Sequence, residues 1–269
     1  MIALFAAFLM GLPTAAASNL CGATITANLV LDQDLACEGA GITVGADGVT
    51  VRLNGHTISG PDAMSSSVSG IIVLGRAHVT IKGPGTVEGF FAGVRIVDSS
   101  DSEVKGITVL GSHEAGIRLE GSTDIRIKDN LAFGGGHDAI QLRNSHRNVI
   151  KENSLSNAGT SAVQLPRISG LPPSSDNIIK ENEIFDSTHG VRAFAGATGN
   201  VVSENHIFGN TNGLSFVAPA GTPEALGNTY SENEIAANAC GVKGSANELA
   251  GNTFLENEFV DNVVDVCTE

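Results

Sequence analysis

The pattern of apolar and polar residues along this chain recurs at a fixed interval. A small residue is followed by an apolar, a variable and a second apolar residue, as in Gly93-Val94-Arg95-Ile96. The pattern begins at Gly70, Gly93, Gly116, Ala139, Ala162, Gly190, Gly213 and Gly241. The first four steps are 23 residues each, and the later three are 28, 23 and 28. Because side chains alternate between the two faces of a strand, we expect Val94 and Ile96 to point inward and Arg95 outward.

A second block, Asn-x-x-x-Glu-Asn, repeats inside the same period. It starts at Asn148, Asn177, Asn200, Asn228 and Asn252. The runs between the blocks are short and β-prone, are separated by Asn, Gly or Asp turns, and include no segment with the length and periodicity of a helix. The extra residues of the two long steps fall in stretches rich in Pro, Ser or Gly at 171–175 and 218–223, which are predicted surface loops.

These features predict an all-β fold, a single-stranded right-handed parallel β-helix of about nine coils with a period near 23 residues. Residues 41–267 form the helix and 18–40 an N-terminal cap in this interpretation. Coils stack at about 4.8 Å, so equivalent residues form columns. The column that ends the Asn block is predicted to be structural, because stacked Asn side chains can satisfy turn amides. Its members are Asn153, Asn182, Asn205, Asn233 and Asn257.

The first 17 residues have the pattern of a signal peptide. Ile2 to Leu12 is apolar, and Ala15 to Ala17 form a small-residue cleavage signature. The apolar run is too short to span a bilayer comfortably. The sequence therefore predicts a secreted or periplasmic protein with no membrane span.

The four cysteines form two groups that are local in sequence. We expect Cys21 to pair with Cys37, and Cys240 with Cys267, which follows 27 residues later, about one coil on. Residues stacked at strand spacing are close enough for a disulfide. Export favours oxidation of both pairs, which would close the two ends of the helix.

The amino-acid composition limits the classes of molecule that the protein can be expected to bind. The chain has 33 Gly but 11 Phe, 1 Tyr and no Trp, which suits narrow columns of small aliphatic side chains. It has 29 acidic residues against 15 Lys plus Arg, for a net charge of −14. This balance argues against nucleic acid or anionic lipid as a partner, since both are bound by clustered cations.

One outward column is enriched in cations and is predicted to be the one face where the charge reverses. The column comprises Ile72, Arg95, Arg118, Gln141, Gln164, Arg192, Ser215 and Lys243. Beside it come His113, Glu114, His137, Asp138 and His189. Arg side chains suit the carboxylates of an anionic glycan. A base beside a uronate carboxylate could remove the neighbouring proton while an Arg stabilises the developing enolate.

Candidate roles follow from this interpretation. The catalytic candidates are His137, Asp138, His189, Arg118 and Arg192. The substrate-binding candidates are Arg95, Gln141, Gln164, His113 and Lys243. The alternative is an ordinary solvated strand face on which Arg95 and Arg118 pair with nearby acids such as Glu120 or Asp98.

Segments such as NVIKENSLSN, NVVSENHIFGN and DGVTVRLNGHTISG resemble the β-helix repeats of the pectate-lyase-like superfamily. That group includes pectate and alginate lyases, polygalacturonases, mannuronan epimerases and a periplasmic accessory protein of nitrous oxide reductase maturation. The resemblance covers roughly residues 41–267 and implies the fold, whereas the chemistry depends on residues added to the scaffold. The motifs of particular enzymes do not transfer: Gly136-His137-Asp138 has His where polygalacturonases have one of two aspartates.

Three functions stay open at this point. The first is a carbohydrate-active protein, a lyase or epimerase on an acidic polysaccharide. The second is a non-catalytic β-helix that serves as a glycan-binding, adhesive or surface structural module. A periplasmic metal-maturation factor is the least supported, because no His or Cys cluster suits copper. The partner would be an extracellular anionic polysaccharide, and the protein a monomer or homotrimer.

No metal or other cofactor is predicted. Calcium could bridge the column Glu152, Glu181, Glu204, Glu232 and Glu256, but a hydrated acidic edge is the favoured interpretation. In water, like charges about 5 Å apart repel by less than about 1 kcal/mol per pair.

Overall fold

The computed structural model describes residues 20–62 and 67–268, which form a right-handed parallel β-helix, as predicted. Three parallel sheets run along the helix, and each coil contributes one short strand to each sheet. The predicted signal peptide, residues 1–17, lies outside the described residues. Within the described ranges, no helix is long and apolar enough to cross a membrane.

The three sheets are named A, B and C here, and their strands are given in stacking order. Sheet A contains Thr24–Ile25, Ile42–Val44, Ser69–Leu74, Ala92–Val97, Ala115–Glu120, Asp138–Arg143, Ser161–Leu165, His189–Phe194, Asn212–Val217, Cys240–Gly244 and Val264–Thr268. Sheet B contains Leu29–Val30, Thr50–Arg52, Thr80–Lys82, Glu103–Lys105, Arg126–Lys128, Val149–Lys151, Ile178–Lys180, Val201–Ser203, Thr229–Ser231 and Thr253–Leu255. Sheet C contains Leu35–Ala36, Thr57–Ser59, Thr86–Glu88, Thr108–Leu110, Leu131–Phe133, Ser154–Ser156, Glu183–Phe185, His206–Phe208, Glu234–Ala236 and Glu258–Val260. A short helix, Ala246–Gly251, follows the tenth strand of sheet A.

The core follows from the alternation of side chains. Val94 and Ile96 are buried, and Arg95 between them faces outward. Steric crowding explains why each repeat starts with a small residue. A Cβ on Gly116 would lie 2.7 Å from the Ala139 carbonyl oxygen of the next coil, so Gly is favoured at this place, and Ala, the smallest residue with a Cβ, replaces it at 139 and 162.

The Asn column is structural, as predicted. The Asn182 side-chain oxygen accepts hydrogen bonds from the backbone and side-chain nitrogens of Asn153 at 3.0 and 2.9 Å. Its amide nitrogen donates to the carbonyls of Ile150 and Lys180 and to the Asn205 side chain, at 2.9–3.0 Å. Because each Asn serves its own coil and both neighbours, the turn amides are satisfied without water.

Both predicted disulfides are present. Cys21 pairs with Cys37, and Cys240 with Cys267. Cys240 lies opposite Val264 rather than opposite Cys267, so the second disulfide crosses diagonally between the last two strands of sheet A, with 6.2 Å between the Cα atoms. At the other end, residues 24–36 already pair with the following coil, so the sheets extend into the predicted cap.

Candidate functional site

The predicted outward column exists on sheet A. Strand register aligns Ile72, Arg95, Arg118, Gln141, Gln164, Arg192, Ser215 and Lys243. Its centre is more covered than an ordinary sheet face: the Arg118 side chain is 11% exposed and Gln141 is 2% exposed. Part of this face is therefore a recess.

The recess lies under one of the two predicted loops. Residues 166–173 follow the strand Ser161–Leu165, and Ile168 and Leu171 of this loop approach the column from outside. Together with Arg118, Glu120 and Arg143 they line a cavity of about 250 Å³. The loop thus supplies an apolar wall over a charged floor.

Two of the guanidinium groups in this region share one carboxylate. Arg95 donates two hydrogen bonds to Glu120, at 3.0 and 2.9 Å. Arg118 Nε lies 2.5 Å from Glu120 Oε1 but has no hydrogen-bond partner of acceptable geometry among the described residues. Burial and the nearby Arg143 lower the pKa of Arg118. Burial alone would raise the pKa of Glu120, but the hydrogen bonds from Arg95 and the neighbouring cations lower it.

Arg143 links this cluster to a buried acid. It donates to Glu114 at 2.5 Å and to the Gln141 side-chain oxygen at 2.5 Å. Gln141 in turn donates to Asp138 Oδ2 at 2.6 Å, and to Gln164 at 3.3 Å. Arg143 and Asp138 are thus joined through a single amide side chain.

Asp138 is the most perturbed carboxyl group in this region. It is 1% exposed, and Oδ1 has no hydrogen-bond partner of acceptable geometry in the described part of the chain. Burial raises its pKa to about 7, although the hydrogen bond from Gln141 and the charge of His137 act in the opposite direction. A carboxyl group with this pKa can both take up and release a proton near neutral pH.

The structure divides the other predicted residues into separate groups. His189 is two coils from Asp138, with Ser161 between them, so the two are about 10 Å apart. The His189 ring contacts Asn212 at 3.2 Å, and burial beside Arg192 and Lys243 lowers its pKa to about 4. The imidazole is therefore neutral at physiological pH.

Two further predicted residues make their contacts away from the buried acid. The Arg192 guanidinium carbon lies 4.6 Å from the centre of the Phe194 ring, and His113 contacts Asp62 at 3.4 Å. His137 is exposed, but it directly precedes Asp138 and its charge acts on that carboxyl group. The structure thus brings Arg95, Arg118, Gln141, Gln164 and Asp138 together, with His137 at the edge of this group and His113 and His189 outside it.

Arg143 was not predicted as a site residue, although its position in the repeat places it on the same outer face. Arg143 lies two residues after Gln141 and is in register with Glu120, in the second outward column of sheet A. Only the single column through Arg118 was assigned to the site from the sequence. The second column supplies both the third guanidinium group of the cluster and the carboxylate shared by Arg95 and Arg118.

The prediction of a single cationic face is wrong. On sheet B, six cations align in register on the outward side, and they are here called the lysine column: Arg52, Lys82, Lys105, Lys128, Lys151 and Lys180. The signal was present in the sequence as an aliphatic residue followed by a cation, spaced 30, 23, 23, 23 and 29 residues apart. The column ends where Ser203 replaces the cation.

The acidic edge is partly neutralised by this column. Glu152 accepts hydrogen bonds from Lys151 at 2.8 Å and Lys128 at 3.1 Å, which together lower its pKa to about 2. Glu181 pairs with Lys180. The predicted hydrated edge therefore begins only beyond Glu181, where Ser203, Ser231 and Leu255 precede Glu204, Glu232 and Glu256.

The three stacked parallel sheets place the protein among right-handed parallel β-helix proteins. Residues 22–222 and 171–269 match a family model described as periplasmic copper-binding protein (NosD). These matches cover most of the sequence, and the chain belongs to the NosD family. A search of curated proteins finds no match.

Solved structures of similar fold include several enzymes. An alginate lyase from Paenibacillus sp. str. FPU-7 has a TM-score of 0.68 at 14% identity, with 88% of this chain and 92% of that chain covered. The periplasmic alginate epimerase AlgG has a TM-score of 0.64 at 14% identity, covering 87% and 73%. The pectate lyase Pel9A has a TM-score of 0.62 at 13% identity, covering 90% and 69%. At these identities the likeness shows the fold alone.

The family description names copper, for which thiolate, thioether and imidazole are the preferred ligands. Within residues 20–62 and 67–268, no three His, Cys, Asp or Glu side chains converge on one point. All four cysteines are in disulfides. The three methionines, at positions 1, 10 and 64, lie outside the described residues. The donor set of the described residues therefore does not fit copper.

Proposed function

We propose that this is an exported β-helix protein that binds an acidic polysaccharide on the outer face of sheet A. One uronate carboxylate would lie in the cavity under residues 166–173, between Arg118 and Arg143. The observation that carries this proposal is the largely covered Arg118 side chain: its buried Nε is paired in charge with Glu120 but has no well-formed hydrogen bond among the described residues.

The arginines of the cavity can pair with an anion. Three guanidinium groups, from Arg95, Arg118 and Arg143, face the carboxylates of Glu120 and Glu114, and Asp98 also lines the cavity. With Asp138 protonated, the positive and negative charges of the cluster balance, so an anion would be held by direct pairing with Arg118 and Arg143 and not by a net positive charge. A carboxylate can accept two parallel hydrogen bonds from a guanidinium group, and such charge-assisted pairs are strong when they are shielded from water.

Independent features support the compartment and the ligand class. Two disulfides suit an oxidising compartment, and the family description is periplasmic. The alginate lyase, alginate epimerase and pectate lyase of similar fold are named for uronate polymers, which makes alginate and pectate the first probes. The ordered recess in the middle of an elongated face suits a polymer that lies along the helix axis.

The test of binding uses galacturonate, and glucose as the neutral comparison, in titration calorimetry. Arg118→Gln should weaken galacturonate binding by about tenfold or more, because a charge-assisted hydrogen bond in a covered site is lost. Arg147→Gln is the matched control: it removes the same charge from an exposed side chain that pairs with Asp124 on a turn. Equal affinity of the native protein for glucose and galacturonate, or an unchanged affinity in Arg118→Gln, would contradict the proposal.

A second candidate function, a lyase or epimerase, is favoured by Asp138. Its pKa of about 7 suits a proton acceptor, and Gln141 connects it to Arg143. Asp138 is buried and does not line the cavity, so Gln141 would have to move aside for Asp138 to accept the proton from the carbon beside the bound carboxylate, while Arg118 stabilises the negative charge that develops on that group. In a lyase the glycosidic oxygen would then leave with the bonding electrons and take a proton from water, and in an epimerase the carbon would be reprotonated on its opposite face. This differs from the sequence prediction in leaving His137 and His189 outside the reacting centre.

Catalysis is tested by incubation with alginate, pectate and glycosaminoglycans. A lyase would produce an ultraviolet absorbance from unsaturated uronates, and an epimerase would change the proton NMR spectrum of the polymer without cleavage. Asp138→Asn should abolish either product while binding persists. Binding without any product would assign the protein to the non-catalytic class.

A further inference from the structure

The lysine column is unevenly neutralised along its length. Its C-terminal half has acids in the following turn, where Asp129, Glu152 and Glu181 pair with lysines. The N-terminal half has Asn54, Gly83 and Gly106 at the corresponding turns, and of its three cations only Lys105 is paired within the described residues, with Glu103 of its own strand. No ion pair joins Arg52 or Lys82 to an acid of the described residues, so positive charge is in excess at that end.

The surface next to the column adds polar groups that suit sugar hydroxyls. Thr50 and Thr80 lie in the adjacent outward column, two residues before Arg52 and Lys82. In the same adjacent column, Glu103 follows Thr80 and pairs with Lys105, and the next residue, Arg126, is exposed. The six cations are spaced one per coil over about 24 Å, so they form a line rather than a pocket.

We propose that the outer face of sheet B from Arg52 to Lys180 binds a linear anionic polysaccharide that lies along the helix axis. Arg52 and Lys82, unpaired among the described residues, offer cationic groups to the acid groups of the polysaccharide. Lys105, Lys128, Lys151 and Lys180 would exchange their pairing with Glu103, Asp129, Glu152 and Glu181 for pairing with the polysaccharide, and the threonines accept or donate hydrogen bonds to its hydroxyls. This face is distinct from the cavity on sheet A, and the inference does not depend on that cavity.

The linear arrangement of the cations favours a single polysaccharide chain over a flat anionic surface as the ligand. The protein has a net charge of −14, and the same edge continues into Glu204, Glu232 and Glu256 beyond the column. A membrane surface would face those acids as well as the lysines, whereas a single chain can touch the cations alone. A polysaccharide strand therefore fits the pattern better than a lipid surface.

The experiment compares polygalacturonate, long enough to span about 24 Å, with galacturonate, using the full chain at several salt concentrations. Lys82→Gln should weaken polygalacturonate binding about fivefold and reduce the slope of log affinity against log salt by about one. Galacturonate binding in the same variant should be unchanged. Circular dichroism establishes that the variant is folded, which is expected because Lys82 is on the surface.

Arg147→Gln, with the same change of charge, is the control. An equal loss of polymer affinity in both variants would overturn the proposal, because net charge alone would then explain it. An unchanged polymer affinity in Lys82→Gln would also overturn it. If Arg118→Gln weakens galacturonate binding and Lys82→Gln leaves polymer binding unchanged, the cavity proposal is supported and the lysine-column proposal is wrong. If Lys82→Gln weakens polymer binding and Arg118→Gln leaves galacturonate binding unchanged, the lysine-column proposal is supported and the cavity proposal is wrong.

Discussion

Replacing the buried Asp138 by Asn should remove a pH dependence of stability that the native side chain creates. In the folded protein its pKa is about 7, against an ordinary pKa of 3.8 for an Asp side chain. Between these values the folded protein binds more protons than the unfolded chain, so the free energy of unfolding falls as the pH rises. Most of this stability is lost between about pH 4 and pH 7, because above that range the folded protein holds a charged carboxylate in a buried site.

The size of the effect follows from the two pKa values. A difference of roughly 3 pKa units corresponds to about 4 kcal/mol when the pH passes from below the lower value to well above the upper one. Of this, about 2.5 kcal/mol should fall between about pH 5 and pH 8.5. Asn at this position has no charge to bury, so its own contribution should be independent of pH.

The measurement is urea unfolding of native protein and Asp138→Asn, followed by far-ultraviolet circular dichroism at several pH values. A constant offset from replacing oxygen by an amide nitrogen cancels when the difference between the two proteins is plotted against pH. The variant should gain about 2.5 kcal/mol relative to the native protein from about pH 5 to pH 8.5. A difference that stays constant over that range, or a carbon NMR titration that gives Asp138 an ordinary pKa, would refute the reasoning.

The remaining predictions concern the scaffold. Asn182→Ala removes five hydrogen bonds and leaves buried backbone groups without partners, so the free energy of unfolding should fall by about 3 kcal/mol or more in urea denaturation. The exposed Asn247→Ala, in the short helix, should change it by less than about 0.5 kcal/mol. Replacing both Cys240 and Cys267 by Ser opens a loop of 27 residues, which should lower stability by about 3.5 kcal/mol if the last coil unfolds with the rest. Hydrogen exchange that stays slow throughout 264–268 in the double variant would show that the disulfide is not needed to hold that strand.

Much of the scaffold was predictable because residues one repeat apart in the sequence lie next to each other in the stacked coils. The 23-residue step places Arg95 beside Arg118 and Asn153 beside Asn182 without knowledge of any other contact. The pairing of Cys240 with Cys267 followed from about one such step, whereas Cys21 and Cys37, 16 residues apart, were paired by their closeness in the sequence. The lysine column obeys the 23-residue step too, and the recurrence of an aliphatic residue followed by a cation would have predicted it.

The arrangement around Asp138 could not be derived in this way. Its pKa depends on burial, and burial depends on how the edge of one strand packs against its neighbours. The wall over Arg118 comes from Ile168 and Leu171, in a loop whose path the repeat does not specify. Arg143 reaches Glu114, 29 residues away and in the preceding coil, through a side-chain conformation that sequence period leaves open.

The solenoid, its inward and outward columns and its Asn ladder can be predicted from the amino-acid sequence, because each of them depends only on strand alternation and on the constant rise between coils. Which outward residues are shielded from water depends on three-dimensional packing that the repeat does not specify. The loop and neighbouring side chains shield the recess from water, and this strengthens the electrostatic interactions of Arg118 and Asp138. The cations of the lysine column also recur once per coil, but they are solvated, so their electrostatic interactions are weaker.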